Sequence, residues 1–384
     1  MDLVMNALNF ATAPRAWISA LLVGASVLTL SGCGTSKPEP ARLEALQPSA
    51  KVTVIWQQRT DNTDALLSMS LSDGTLVAAT NRGEISAWSA ATGQQRWRGT
   101  VNANLSAAVG SDGRYAAVVT QSNELQVLDQ GRVIWREALP GRVTTPPLVA
   151  GERVFVKMLD RYVRAYDVVD GRWLWQYQRP GGDTLALATR GVLSAFRDTL
   201  LVGQGSRLVG LDPTRGTVRF DINVGTPRGT NEVERLADLV GPLARADDEA
   251  CVRTFQLSVA CLELNRGSVR WSRPQAGTQA VAADERIVVA ADSADRVNAW
   301  KMDNGEPLWR VDRFLRRQLS APVIWGQHAA VVDEEGYLHV LALADGRTVA
   351  RLELDAPLAG APLVSGDVLL VSTRKGTIQA LRLN

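Results

Sequence analysis

The fold class that this 384-residue sequence predicts is all-β, an eight-bladed β-propeller built from four-stranded antiparallel blades. The first observation is a recurring unit made of a short alternating strand, a Gly-containing turn and a strand that ends in Trp. Successive units are spaced by roughly 40 residues, which is the propeller range. Period-2 alternation within each unit is typical of antiparallel strands joined by tight turns. The strand-end markers stand at positions 56, 97, 135, 175, 220, 271, 309 and 350.

The units follow one another without a break, so we interpret residues 51–384 as one propeller domain. Phe220 and Ala350 occupy two marker positions where the other units have Trp. A blade cannot bury both of its faces alone, which is why blades pack around a common axis. The alternating strands before the turns cover 83–88, 125–129, 163–167, 208–212, 259–263, 297–300, 336–341 and 376–381.

Closure of the ring is also predicted. The eighth unit stops at Asn384 before a last strand, and residues 52–56, Val-Thr-Val-Ile-Trp, have the composition of that strand. We expect the N-terminal strand to complete the last blade, because joining both ends of the chain in one sheet removes exposed edges. A seven-bladed ring is the alternative if the divergent region 220–251 hides a miscount.

The N-terminus resembles a bacterial lipoprotein signal. An apolar run over 16–30 leads into Leu-Ser-Gly at 30–32 and then Cys33. The run has the length of a signal-peptide core and is too short for a comfortable membrane span. We therefore expect residues 1–32 to be a cleaved signal peptide and Cys33 to be acylated. An ordinary secretory signal is the alternative.

The segment after the signal predicts a flexible tether and indicates where the protein is located in the cell. Residues 33–50 contain Pro38, Pro40 and Pro48 and little to bury, which is typical of a flexible linker. The resemblance to lipoproteins, with Gly34 rather than Asp after Cys33, implies sorting to the periplasmic face of the outer membrane. Several acyl chains give stable anchoring, where a single chain binds only marginally.

Composition places the rest of the chain among globular proteins. Hydrophobic residues make up 46% and charged residues 21%, which supports a substantial core. The net charge of +2 gives no tendency to bind nucleic acid.

The repeated tryptophans favour packing over ligand binding. They recur at equivalent strand ends, and a ring of aromatic side chains between neighbouring blades explains that recurrence by the apolar area it buries. The residues that we assign to blade packing are Trp56, Trp97, Trp135, Trp175, Trp271 and Trp309.

Two cysteines suggest a disulfide. Superposing the repeats places Cys251 and Cys261 opposite each other across a hairpin, and the periplasm is oxidising. Two buried free thiols are the alternative, since cross-strand geometry is often strained. With only His328 and His339 in the chain, a zinc-type site is not indicated.

Catalysis has little support in the sequence. No Ser-His-Asp or Cys-His set is evident, and the Asp-Gly pairs are typical of turns. The Gly-rich spots at 181–182 and 203–205 lack the strand, phosphate loop and helix of a nucleotide site. We expect no catalytic residue, no metal and no cofactor, although a small-ligand site in the central channel stays open.

The repeat Asp-x-x-x-Gly-x-x-x-Trp resembles that of pyrroloquinoline-quinone-type propellers, and with the lipobox it resembles the BamB family of the outer-membrane β-barrel assembly machinery. Two stretches sharpen the resemblance, Leu185–Gly191 and Glu234–Pro242, which lie in the two longest repeat steps. Extra length on adjacent connections builds a patch on one rim.

The resemblance implies that this patch binds the periplasmic POTRA domains of BamA. Leu187 would supply apolar contact, Arg190 charged hydrogen bonds, and Asp238 an acidic partner or a brace. Thr189 also lies in the patch, at a position where the family has an apolar residue. Other Bam subunits and unfolded outer-membrane protein substrates are further implied partners, the latter through strand addition at blade edges.

The implied role is a non-enzymatic scaffold that assists the folding and insertion of outer-membrane proteins. One rival is a quinone-dependent dehydrogenase, which shares the repeat but carries an adjacent Cys-Cys pair that this chain lacks. A generic periplasmic protein-binding propeller is the other rival.

Overall fold

Four-stranded antiparallel sheets repeat eight times along the chain in a computed structural model that describes residues 39–60, 67–181, 185–227, 229–231 and 233–384. Cys33 and the predicted signal peptide lie outside the described residues. The eight-bladed propeller predicted from the sequence is confirmed.

Blades one to four occupy the first half of the chain, together with the N-terminal strand β1. Each blade runs from a short inner strand to an outer strand, in chain order. The strands are β1 (Val52–Arg59), β2 (Ser70–Ser72), β3 (Thr75–Ala79), β4 (Glu84–Ser89), β5 (Gln95–Thr100), β6 (Leu105–Ser111), β7 (Tyr115–Thr120), β8 (Glu124–Asp129), β9 (Arg132–Ala138), β10 (Leu148–Ala150), β11 (Arg153–Lys157), β12 (Val163–Asp167), β13 (Trp173–Tyr177), β14 (Leu193–Phe196), β15 (Thr199–Gln204), β16 (Arg207–Leu211) and β17 (Val218–Asn223).

Blades five to eight follow in the same way. They comprise β18 (Leu239–Ala246), β19 (Glu249–Thr254), β20 (Ser258–Glu263), β21 (Ser268–Pro274), β22 (Ala282–Ala283), β23 (Ile287–Ala291), β24 (Val297–Lys301), β25 (Pro307–Val311), β26 (Val323–Trp325), β27 (His328–Val332), β28 (Tyr337–Ala342), β29 (Thr348–Glu353), β30 (Leu363–Ser365), β31 (Val368–Ser372) and β32 (Thr377–Leu383).

The eighth blade closes the ring, as the sequence predicted. Its strand order is β1-β32-β31-β30, so the N-terminal strand is its outer strand. Val52 pairs with Leu383 and Arg59 with Thr377 across this antiparallel seam. Both ends of the propeller are thereby held within a single sheet, which resists opening from either end.

Burial differs between the strands of a blade. The second strands are buried except for half-buried residues at some of their ends, whereas the outer strand β5 carries only exposed and half-buried residues. Inner strands are covered on both faces because neighbouring blades stack face to face. Each pair of neighbouring blades, including the eighth and the first, shares one hydrophobic cluster.

The marker tryptophans lie at these blade interfaces. Trp271 of blade five donates its indole Nε1–H to the carbonyl oxygen of Met302 in blade six, over 2.7 Å. The same kind of bond joins Trp56 to Ala90, Trp97 to Gly113, Trp135 to Val168, Trp175 to Pro213 and Trp309 to Leu343. Each indole therefore buries apolar area between two blades and satisfies its polar N–H there.

The turn glycine of the next blade makes room for the indole. Gly305 has φ +67°, and a Cβ at this position would lie 2.6 Å from the ring of Trp271. Glycine is required here for both the left-handed backbone and the close approach. The repeated turn Gly and the repeated Trp therefore contact each other across a blade interface, as Gly305 and Trp271 do.

Replacing a ring tryptophan should destabilise the propeller strongly. For Trp271→Ala we expect the free energy of unfolding to fall by about 3–5 kcal/mol, because a buried aromatic leaves a cavity between two blades. Urea denaturation followed by circular dichroism measures this change. The matched control is Trp173→Ala, since the Trp173 side chain is 59% exposed at the outer edge of blade three. We expect a loss of about 1 kcal/mol or less for the control, and equal losses would contradict the packing role.

Candidate functional site

Two long connections between blades lie side by side at one end of the propeller. The first links β13 to β14, and the second links β17 to β18. Arg190 and Gly191 of the first connection pair with Val240 and Gly241 at the start of β18: the Gly241 N–H donates to the Arg190 carbonyl over 3.0 Å, and Gly191 and Val240 form an antiparallel bridge. We call the residues 185–191 and 233–241 the docking rim.

Asp238 joins the two parts of the docking rim. Its carboxylate accepts the Leu187 backbone N–H over 2.7 Å and the Arg161 guanidinium over 2.8 Å. Arg161 also donates to the Leu185 carbonyl. Asp238 therefore has the bracing role, one of the two roles that the sequence left open for it.

Arg161 belongs to a third element, the tight turn between β11 and β12 of blade three. Its backbone is left-handed, with φ +70°, and its carbonyl accepts the Gln204 side-chain amide over 2.9 Å. The Arg161 and Asp238 side chains are only 10% and 13% exposed. Removing one partner of such a buried pair leaves an uncompensated charge, which is strongly destabilising.

Lys157, at the end of β11, adds a second cation beside Asp238. Burial lowers the pKa of the Lys157 ammonium, the nearby Arg161 lowers it further, and Asp238 acts in the opposite direction. A Cβ on Gly191 would lie 2.7 Å from Lys157 Nζ, so the glycine allows the rim backbone to lie over this side chain. Lys157 and Arg161 thus lie with the Asp238 carboxylate beneath the rim.

Arg190 points to the axis of the ring. It lines a cavity of about 400 Å³ at the mouth of the central channel, together with residues of the other blades such as Ser68, Gln279 and Glu334. Burial lowers the pKa of its guanidinium to about 10, so the group stays protonated at neutral pH. Among the described residues, no side-chain hydrogen bond or ion pair engages it. A half-buried cation without an ion-pair partner favours an anionic partner group.

The remaining rim side chains present a mixed surface, because Glu234 and Arg235 are exposed together with apolar and neutral residues. Leu187 is half-buried and Thr189 exposed. Leu185 and Val233 add apolar area at 40% and 69% exposure. Apolar contact around an arginine is a composition enriched in protein–protein interfaces.

A second cluster of titratable side chains is buried and consists of His339, Asp333 and Arg317. His339 Nε2 lies 2.9 Å from Asp333, which also accepts Arg317, and all three side chains are buried. Burial lowers the pKa of His339, with Asp333 acting against it. In the described part of the chain, no group of three His, Cys, Asp or Glu residues could hold a metal ion.

Cys251 and Cys261 lie opposite each other on β19 and β20 and form a buried disulfide, with their Cα atoms 4.1 Å apart. The pairing follows from the register of the hairpin.

No helix in the described residues has the length and hydropathy to cross a bilayer.

Comparison with known proteins gives one consistent family. The family model described as "Outer membrane protein assembly factor BamB" matches residues 41–108, 81–311 and 301–384. A protein of Burkholderia pseudomallei with the same description is 31% identical, covering 98% of this chain and 100% of its own length.

Solved structures show the same fold. The crystal structure of BamB from Moraxella catarrhalis has a TM-score of 0.77 at 22% identity, covering 86% of this chain and 100% of that chain. Quinohemoprotein alcohol dehydrogenase from Comamonas testosteroni has a TM-score of 0.65 at 12% identity, covering 86% of this chain and 76% of that chain. At these identities the likeness concerns the fold alone.

Loss of the brace should loosen the docking rim. For Asp238→Ala we expect a decrease of about 3 kcal/mol in the free energy of unfolding, because the buried Arg161 guanidinium loses its ion pair with Asp238. The Leu187 amide should also lose protection in hydrogen–deuterium exchange, since its acceptor is gone. The control is Asp248→Ala, which removes an exposed ion pair with Arg197 and should cost less than about 1 kcal/mol. Unchanged exchange protection of the Leu187 amide in Asp238→Ala would contradict the role of Asp238 in holding the rim.

Proposed function

Because this chain belongs to the BamB family of outer membrane protein assembly factors, we propose that it is a scaffold of the β-barrel assembly machinery. In this role it binds the periplasmic POTRA domains of BamA and catalyses no reaction itself. The ring supplies a rigid frame, and the docking rim supplies the contact surface.

The observation that carries the proposal is the junction at Asp238. One carboxylate ties the Leu187 backbone and Arg161 together, so that two interblade connections form a single surface. A surface held in place before binding loses less conformational entropy on association than free loops would. Such preorganisation is expected of a binding site and is not required by the blades themselves.

The chemistry of the rim indicates what it binds. Arg190 is half-buried and makes no side-chain ion pair or hydrogen bond within the described residues, and Leu187 of the same connection is also half-buried. A carboxylate flanked by apolar side chains on the partner would match both features. BamA should therefore present an acidic residue to the mouth of the central channel.

Anchoring would make this contact effective. With Cys33 acylated, the propeller is confined to the periplasmic face of the outer membrane, where the proposed partner resides. Confinement raises the effective concentration of one protein around the other without any new contact. The scaffold could then hold the POTRA domains in one orientation while outer-membrane proteins fold and insert.

Charge reversal at the rim tests the contact with BamA. For Arg190→Glu we expect the Kd for the isolated POTRA domains to rise at least about 10-fold, because a favourable charge pair becomes a repulsive one. Calorimetry or surface plasmon resonance measures the change. The control is Arg215→Glu, an exposed arginine in the turn between β16 and β17, at the opposite end of blade four. Equal Kd values for both variants and the wild type would exclude the rim as the docking surface.

Removal of the predicted acylation site tests the anchor. With Cys33→Ser the protein should be recovered in the soluble periplasmic fraction, whereas the wild type should sediment with the outer membrane. The physical reason is that acyl chains supply the stable membrane attachment. Mass spectrometry of the wild-type N-terminus should show the added lipid, and an unmodified Cys33 would contradict the prediction.

A further inference from the structure

The segment before β1 lies along blade seven. The compact unit that contains the propeller begins at Glu39, although the sequence predicts a flexible tether as far as residue 50. We call residues 39–51 the strap. Its contacts form two groups: those near Glu39 and Ala41 are to the connection between blades six and seven, and those at Glu44, Ser49 and Ala50 are to blade seven.

The first group holds the start of the strap against the connection between blades six and seven. The Ala41 N–H donates to the Leu315 carbonyl over 2.9 Å. Arg316 Nε donates to the Glu39 carbonyl and Arg317 Nη1 to the Ala41 carbonyl, each over 2.8 Å. These bonds use the strap backbone, so they do not depend on the side chains of the strap.

Arg317 is itself fixed by two acidic partners, the buried Asp333 and the exposed Glu335. Its Nε donates to Asp333 over 2.7 Å, and it forms an ion pair with Glu335. Because these two contacts hold the planar guanidinium in place, Arg317 Nη1 is directed towards the Ala41 carbonyl. The blade thus presents a preformed donor to the strap.

The second group covers the position where blade seven lacks its ring tryptophan. Ala350 stands at that marker position, and the neighbouring Val349 carbonyl accepts the backbone N–H groups of Ser49 and Ala50 over 3.0 and 3.2 Å. Ala50 and Val52 pack against the hydrophobic cluster that contains Val349 and Ala350. Arg351 Nη1 also donates to the Glu44 carbonyl over 3.0 Å. The strap therefore contributes cover that an indole supplies at other interfaces.

We propose that blade seven is a docking site for residues 39–51 of this chain and that the strap fixes where the lipid-anchored N-terminus leaves the propeller. The consequence for the membrane rests on the proposed acylation of Cys33. Six residue steps separate Cys33 from Glu39 and span at most about 20 Å. A tether free as far as residue 51 could reach about 60 Å. Docking therefore keeps blade seven close to the bilayer and limits the orientations of the docking rim.

Hydrogen–deuterium exchange of the full mature protein in detergent tests the strap. In the wild type, the amides of Ala41, Ser49 and Ala50 should exchange at least about 10-fold more slowly than in an unstructured peptide. The test variant is Arg316→Ala with Arg351→Ala, which removes two donors that bind strap carbonyls. It should accelerate exchange at Ala41 about 10-fold and speed tryptic cleavage after Arg42.

The matched control is Arg310→Ala with Arg347→Ala, two exposed arginines on blades six and seven whose side chains make no hydrogen bond or ion pair with the described residues. Its exchange should equal that of the wild type, and both double variants should keep the wild-type Tm. Peptide-like exchange of Ala41 in the wild type, or no difference between the two double variants, would overturn the proposal. Intact mass reports acylation in the same samples, so an unmodified Cys33 would be recognised separately from a free strap.

Discussion

The contact between an indole and the turn glycine of the next blade is the constraint on which the ring depends. Trp271 lies over Gly305, and the indole N–H bonds to Met302 in the same neighbouring blade. A four-stranded sheet with two apolar faces is not stable alone, so this contact sets the spacing and tilt at which blades stack. Three interfaces use other means: Gly131 lies against the Arg98 backbone, Phe220 packs at Gly267, and near Ala350 the backbone of the strap binds Val349.

The rim depends on this frame because three separate elements must meet within hydrogen-bonding distance. The Arg161 turn belongs to blade three, Leu187 to the next connection and Asp238 to the one after it. Rigid blades hold these three elements at fixed positions. The buried ion pair between Arg161 and Asp238 then fixes the two connections. Extra chain length that would otherwise be mobile becomes a surface of defined shape, which the repeats with short connections do not build.

Much of this architecture was predictable from local patterns. Strand alternation and the spacing of Trp predict eight blades. The composition of residues 52–56 predicts that β1 closes the last blade. The opposition of Cys251 and Cys261 followed from superposing repeats, because register is set by hairpin turns. These features depend on neighbours in sequence or on an exact repeat.

Other features arise only from packing. Arg161 and Lys157 lie more than 70 residues before Asp238 in the sequence, and no motif connects them. The direction of Arg190 into the channel mouth depends on how the connection crosses the rim. The strap was predicted as a free linker because its composition offers little apolar burial, whereas its docking uses backbone carbonyls and amides. Composition carries no information on such bonds.

The central claim is that the docking rim, at one end of the ring, binds BamA. Site-specific photo-crosslinking in cells tests it most directly, with the photoreactive residue placed at Leu187 or at Val169. Val169 is exposed in the turn between β12 and β13, at the opposite end of blade three from Arg161. We expect a BamA adduct from position 187 and none from position 169. No adduct at 187, or equal adducts at both positions, would contradict it.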